Sequence, residues 1–143
     1  MKYFEIDDIK KFMEHLLIKE SFDKFYLVGL ELKTFTNFSV DGRKTPGWMD
    51  EQEGDYVLWK NIRPRVVSLI QGKREPEVLK IHMSFPLSPT VTGGLQIRFK
   101  EGELFCMSSL NNGEFTLDRG PEQDWDDYCE HFLEKNELNY RIC

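Results

Sequence analysis

The chain has 143 residues, 40% hydrophobic and 31% charged, with 19 basic side chains against 25 acidic ones and a formal net charge of -6. That length suits one domain, residues 1–143, able to bury a core without metal or disulfide, and the composition excludes intrinsic disorder. Eleven Phe, five Tyr and three Trp with no Ala at all exclude a fold built on close packing of small-residue helices and favour one based on a sheet.

In chain order, Asp7 is the expected cap of a first helix whose Ile9, Phe12, Met13, Leu16 and Leu17 form one apolar stripe. From Phe25 to Val40 the period becomes two, predicting a hairpin of two strands before Asp41-Gly42. Residues 42 to 54 are rich in turn and charged residues and read as a surface loop carrying Trp48. Tyr56 to Gln71 predicts a helix interrupted or restarted at Pro64 and closed by Gly72. Leu79, Ile81, Met83 and Phe85 alternate with Lys80, His82 and Ser84, so one strand face is buried and one wet. Pro86 to Gly94 reads as a loop, with Gly93-Gly94 as a plain turn. Strands at Leu95–Lys100, Leu104–Ser108 and Phe115–Leu117 follow, the first two joined at Glu101-Gly102. Pro121 opens a last helix with its stripe on Trp125, Tyr128, Cys129, Phe132 and Leu133. The order argues an α+β fold in two layers, an antiparallel sheet of about six strands with helices packed on one face. Its core is expected to be aromatic, with Phe12, Phe85, Phe99, Phe115, Trp125 and Phe132 buried.

Cys106, Cys129 and Cys143 match no zinc or redox spacing, which suits a reduced, cytoplasmic protein. Glu5, Asp7 and Asp8 break any leader-like apolar run in Met1 to Phe12, and no stretch approaches the roughly 18 apolar residues of a membrane span.

Trp59 to Pro76 (WKNIRPRVVSLIQGKREP) running into LKIHMSF, the FSVDGR stretch at Phe38 to Arg43, Phe115-Thr116-Leu117-Asp118 and Trp125-Asp126 together resemble a small bacterial family, mainly clostridial, known as a domain of unknown function. The resemblance spans nearly the whole chain and implies a cytoplasmic bacterial protein of one domain. It assigns no role to any residue.

Motifs for chemistry are sparse. The pair Gly93-Gly94 lacks the Lys-Ser/Thr and the spacing of a phosphate loop, and Asp50, Glu51, Glu53 and Asp55 lack the glycine register and terminal Glu of a calcium loop. Asp127 and His131 share a helix face but show no third ligand, so neither metal nor cofactor is expected. His82, with Lys80 beside it and Arg98 on a neighbouring strand, could serve acid–base chemistry on an anionic metabolite. The same residues also fit the ordinary wet side of a sheet.

Charge is segregated along the chain: residues 1–55 carry 8 basic and 12 acidic side chains (-4), residues 56–100 carry 8 and 2 (+6), and residues 101–143 carry 3 and 11 (-8). Arg63 and Arg65 with Lys60, Lys73 and Arg74 could meet phosphates, with Trp48 or Trp59 to stack, or could face Glu122, Asp126, Glu130 and Glu134 of the last helix. A pI near 5.1 disfavours nucleic acid as the partner.

The reading favoured by the sequence is a non-catalytic binding or protein-interaction module. Its candidate binding residues are Trp48, Arg63, Arg65, Lys80, His82 and Arg98, and its partner is a protein or a small anionic ligand, with a homodimer allowed. The alternatives are a small enzyme using His82 and Arg98, and a nucleotide or nucleic-acid binder using residues 60–74. Because folding should need no metal, thermal unfolding with and without a strong chelator should coincide; a large fall in midpoint with chelator would restore Asp127 and His131 as ligands.

Overall fold

The computed structural model describes residues 1–70, 75–112 and 119–143. It is an α+β arrangement of seven strands and three helices among the described residues: β1 (Tyr3–Ile6), α1 (Ile9–Leu17), β2 (Tyr26–Lys33), β3 (Asn37–Asp41), α2 (Trp59–Leu69), β4 (Val78–Pro86), β5 (Val91–Lys100), β6 (Glu103–Asn112), α3 (Gly120–Lys135) and β7 (Tyr140–Ile142). The strands form one open antiparallel sheet in the order β3-β2-β4-β5-β6-β1-β7. None of these helices is long and apolar enough to cross a membrane.

Both ends of the chain add a strand to five of the expected six, which makes seven among the described residues. The four residues of β1 pair with β6 on one side and with the three residues of β7 on the other. Such short strands are held by the neighbours they pair with, not by their own propensity. The expected strand at Phe115–Leu117 lies outside the described residues, as do Gly72, Lys73 and Arg74.

The helices start and stop for local reasons. Asp8, not Asp7, caps α1, accepting from the Lys11 amide at 3.0 Å; Asp7 instead pairs with Arg141 at 2.9 Å. Pro64 sits inside α2 without interrupting it, since its ring removes only the bond that would have closed onto the Lys60 carbonyl. Pro121 stands in the first turn of α3, where a missing N–H costs nothing. The turn between β5 and β6 takes Glu101 and Gly102 both to positive φ, 54° and 77°, the mirror-image geometry that suits the twist of a tight hairpin.

The expected loop from Pro86 to Gly94 shrinks to Leu87–Thr90. Gly93 and Gly94 are strand residues of β5, paired with Leu110 and Ser109, and not a turn. They are in the strand because the packing requires it. A Cβ on Gly93 would drive into the indole of Trp125, which lies flat against the backbone and donates Nε1–H to the Gly94 carbonyl at 2.9 Å.

Leu30, Leu32, Leu79, Ile81, Met83, Leu95, Ile97, Phe99, Leu104 and Cys106 share one buried cluster with Phe12 and Leu16 of α1, Trp59 and Val66 of α2, and Trp125, Cys129 and Phe132 of α3. Four of the six aromatics expected in the core are buried; Phe85 is only half-buried, stacked at 6.2 Å on Trp125, and Phe115 is outside the described residues. Trp59 donates its indole N–H to the Leu16 carbonyl at 2.9 Å, tying α2 to α1.

Among the described residues, no ion pair joins the acidic last helix to the basic middle segment. Arg63 grips Asp23 through Nε and Nη2, both at 3.1 Å, and donates to the Ile18 carbonyl. On α3, Glu122 and Asp126 hold the amino group of Met1, and Glu130 holds Lys2 at 2.7 Å. Strand β1 brings these two cations alongside α3, so part of the helix's negative charge is offset from the start of the chain.

The Trp125 contact gives a stability test. Gly93→Ala should destabilise by about 1–3 kcal/mol through overpacking, and the cost should shrink markedly in a Trp125→Leu background, the signature of direct coupling. Equal costs in both backgrounds, measured by urea unfolding, would remove Trp125 as the cause.

Candidate functional site

Strand alternation puts the other side of the sheet in a different chemistry. Glu31 stands opposite Lys80, and Lys80 opposite Arg98; one step along, Asp41 faces Gly29, Gly29 faces His82, and His82 faces Gln96. Together with Ser39 these side chains line an open hollow of about 470 Å³ across β3, β2, β4 and β5.

Glycine makes the hollow. Gly29, beside the irregular register at Val28 where β2 meets β4, has only the Val40 carbonyl within 4 Å of where a Cβ would stand, at 3.8 Å. The floor over Gly29 is therefore empty space and not a packed contact. Gly94 performs a similar service two strands away, because a Cβ there would come 2.6 Å from Ser109 Oγ and 3.4 Å from His82 Nε2.

Two features of the electrostatics stand out. Lys80 and Arg98 are directly opposed like charges, both exposed, and neither has a hydrogen-bond or ion-pair partner among the described residues. Directly opposed like charges on neighbouring strands are destabilising. His82 is half-buried, and burial alone pushes its imidazole below its ordinary range, so it is neutral at pH 7. It too makes no hydrogen bond to a second titratable group among the described residues. The arrangement can attract and orient an anion through Lys80 and Arg98, with neutral His82 and Gln96 as hydrogen-bonding groups beside it.

Of the six residues singled out in the sequence, Lys80, His82 and Arg98 come together here. Trp48 projects from the loop after β3, 75% exposed and outside the hollow. Arg63 and Arg65 lie on α2, Arg63 committed to Asp23 and Arg65 exposed, and Lys73 and Arg74 lie outside the described residues. Glu31, Ser39 and Asp41 escaped the sequence reading. Their alternation in β2 and β3 was visible, but only the sheet order places them beside Lys80 and His82.

Other reactive groups are occupied. Cys106 and Cys129 are buried, and burial raises both thiols, Cys129 to about 12, which leaves them protonated. Asp127 is exposed and 3.8 Å from Lys2, and no cluster of metal-ligating side chains occurs among the described residues.

The chain belongs to the family of unknown function DUF5721, which matches residues 15–94 and 89–141. No curated protein and no solved structure matches it.

The lowered imidazole has a pH consequence. In the unfolded chain His82 binds its proton near its ordinary value of about 6.5, while the folded chain binds it only at lower pH. The unfolded state therefore holds more protons in between, and stability falls as the pH drops through about 6.5. His15, also lowered by burial and by Lys19 and Lys11, adds a slope of the same sign. His82→Gln should flatten the loss of stability between about pH 7 and 5, measured by urea midpoints; an unchanged slope would show that His82 is protonated equally easily in both states.

Proposed function

We propose that this DUF5721 chain is a single-domain, non-catalytic binding module with helices on one face of a two-layer fold, and that its uncovered sheet face receives an anionic group. The observation that carries this reading is the opposed pair Lys80 and Arg98 on the wall of the hollow, neither held in an ion pair among the described residues although Glu31 faces Lys80 from β2. Like charges directly opposed on neighbouring strands destabilise the free protein, and a bound carboxylate or phosphate removes that cost while gaining two charge-assisted hydrogen bonds. The anion belongs to a small ligand or to an acidic side chain of a partner protein. A cytoplasmic setting suits the unpaired cysteines.

The enzymatic alternative through His82 and Arg98 is weaker, because acid–base work needs a second group poised to exchange the proton, and His82 has none among the described residues. The nucleic-acid alternative is weakened by the engagement of Arg63 with Asp23.

Pyrophosphate provides the test. At constant ionic strength, raising pyrophosphate in place of chloride should raise the thermal midpoint of the wild-type chain, as any ligand that binds only the folded state does. Lys80→Gln/Arg98→Gln should begin slightly more stable and show no such rise. Gly29→Ala, whose Cβ would meet only the Val40 carbonyl at 3.8 Å, should also blunt it. Equal responses in wild type and both variants would overturn the assignment.

A further inference from the structure

A second site lies on the helix side, remote from the open face and independent of its reading. The turn before β2 projects Lys24 so that its Nζ stands over four rings at once: Tyr128 at 5.1 Å, Phe132 at 5.5 Å, and Phe25 and Phe85 each at 5.9 Å. These rings are fixed by one another, Phe25 edge-on to Phe85 and Phe132 and Phe85 stacked with Tyr128, and Trp125 backs Tyr128 at 5.1 Å. The ammonium has no carboxylate partner among the described residues and rests on π faces alone.

The distances point to a larger cation than the one present. A methyl carbon in van der Waals contact with a ring lies about 3.5–4.0 Å away, and an N–C bond adds about 1.5 Å. A quaternary nitrogen in contact with all four rings would therefore stand about 5.0–5.5 Å from them, close to the separations seen here. A bare ammonium at that range leaves a shell the thickness of one methyl group unfilled.

The cage opens into a hollow of about 540 Å³ lined by Lys24, Phe132, Lys60 and Lys135. Neither Lys60 nor Lys135 has an ion-pair partner among the described residues. Asp23, on the same wall, is already held by Arg63, which leaves Glu20 as the free carboxylate there. Positive charge thus dominates the hollow one step from a cage that favours a cation.

We propose that this region binds a betaine-type zwitterion, its quaternary ammonium entering the cage of Phe25, Phe85, Tyr128 and Phe132 as Lys24 swings out, and its acid group meeting Lys60 and Lys135. Lys24 is the tethered competitor that fills the cage when the ligand is absent. Aromatic faces around a desolvated quaternary ammonium are the established physical means of recognising this group.

The test uses resonance shifts of the backbone amides of Tyr128 and Phe132 in the full chain, titrated with tetramethylammonium and with glycine betaine. In Lys24→Ala, which removes an exposed side chain, both should bind, betaine about tenfold more tightly because it also engages the lysines. Wild type should bind both more weakly, and tert-butanol, a neutral body of similar size, should cause no comparable shift. Adding Lys60→Gln and Lys135→Gln to Lys24→Ala should weaken betaine and abolish its advantage over tetramethylammonium, which should bind no more weakly than before. Absence of any tetramethylammonium-dependent shift in Lys24→Ala, or betaine binding indifferent to the two lysine substitutions, would overturn the proposal.

Discussion

The contact between Trp125 and the Gly93-Gly94 backbone organises both sides of the sheet. On the helix side, Gly93 lets the indole lie against β5, where its N–H finds the Gly94 carbonyl. That position fixes the stack of Trp125, Tyr128 and Phe85, and with it the aromatic wall under Lys24. On the opposite side, Gly94 leaves room for Ser109 and His82. Two adjacent residues without side chains therefore serve opposite faces, because consecutive residues of a strand point in opposite directions.

A second constraint ties the strand order to α3. Asp126 is buried, and a buried carboxylate is tolerable only when its oxygens are satisfied. One accepts from Ser108 Oγ at 2.5 Å and the other from the Met1 amino group at 2.8 Å, while the Lys2 amide donates to the same Ser108 oxygen at 3.0 Å. Tyr140 of β7 donates towards Glu130 and Glu134 of the same helix, and burial, with the neighbouring carboxylates, holds its phenol above its ordinary range. Helix, β6, β1 and β7 are joined by polar bonds as well as by the apolar cluster they share.

Periodicity made much of this legible. The stripes of α1 and α3 and the alternation in β2 through β6 are local signals, and they placed Lys80, His82 and Arg98 on one wet face. What escaped was tertiary. β1 and β7 are too short for a pattern to establish itself, and each exists through its neighbour. Gly93-Gly94 carries the composition of a turn, and only the indole packed against it explains a strand there. The charge blocks suggested a partnership between the middle and the end of the chain, because counting along a sequence cannot reveal that Met1 and Lys2 pair with the acidic end.

The position of β1 also governs the order in which the fold can assemble. β2 through β6 pair with strands close in sequence or reached across α2, whereas the Lys2–Ser108 contact closes a separation of 106 positions. Closing so long a loop costs entropy before any pairing rewards it. During synthesis β1 therefore emerges first yet must wait, with Phe4 and Ile6 uncovered, until β6 exists to receive it. Only then can β7 add to its outer side. The first strand made is among the last to dock, and in that interval it is the segment most open to capture by another chain.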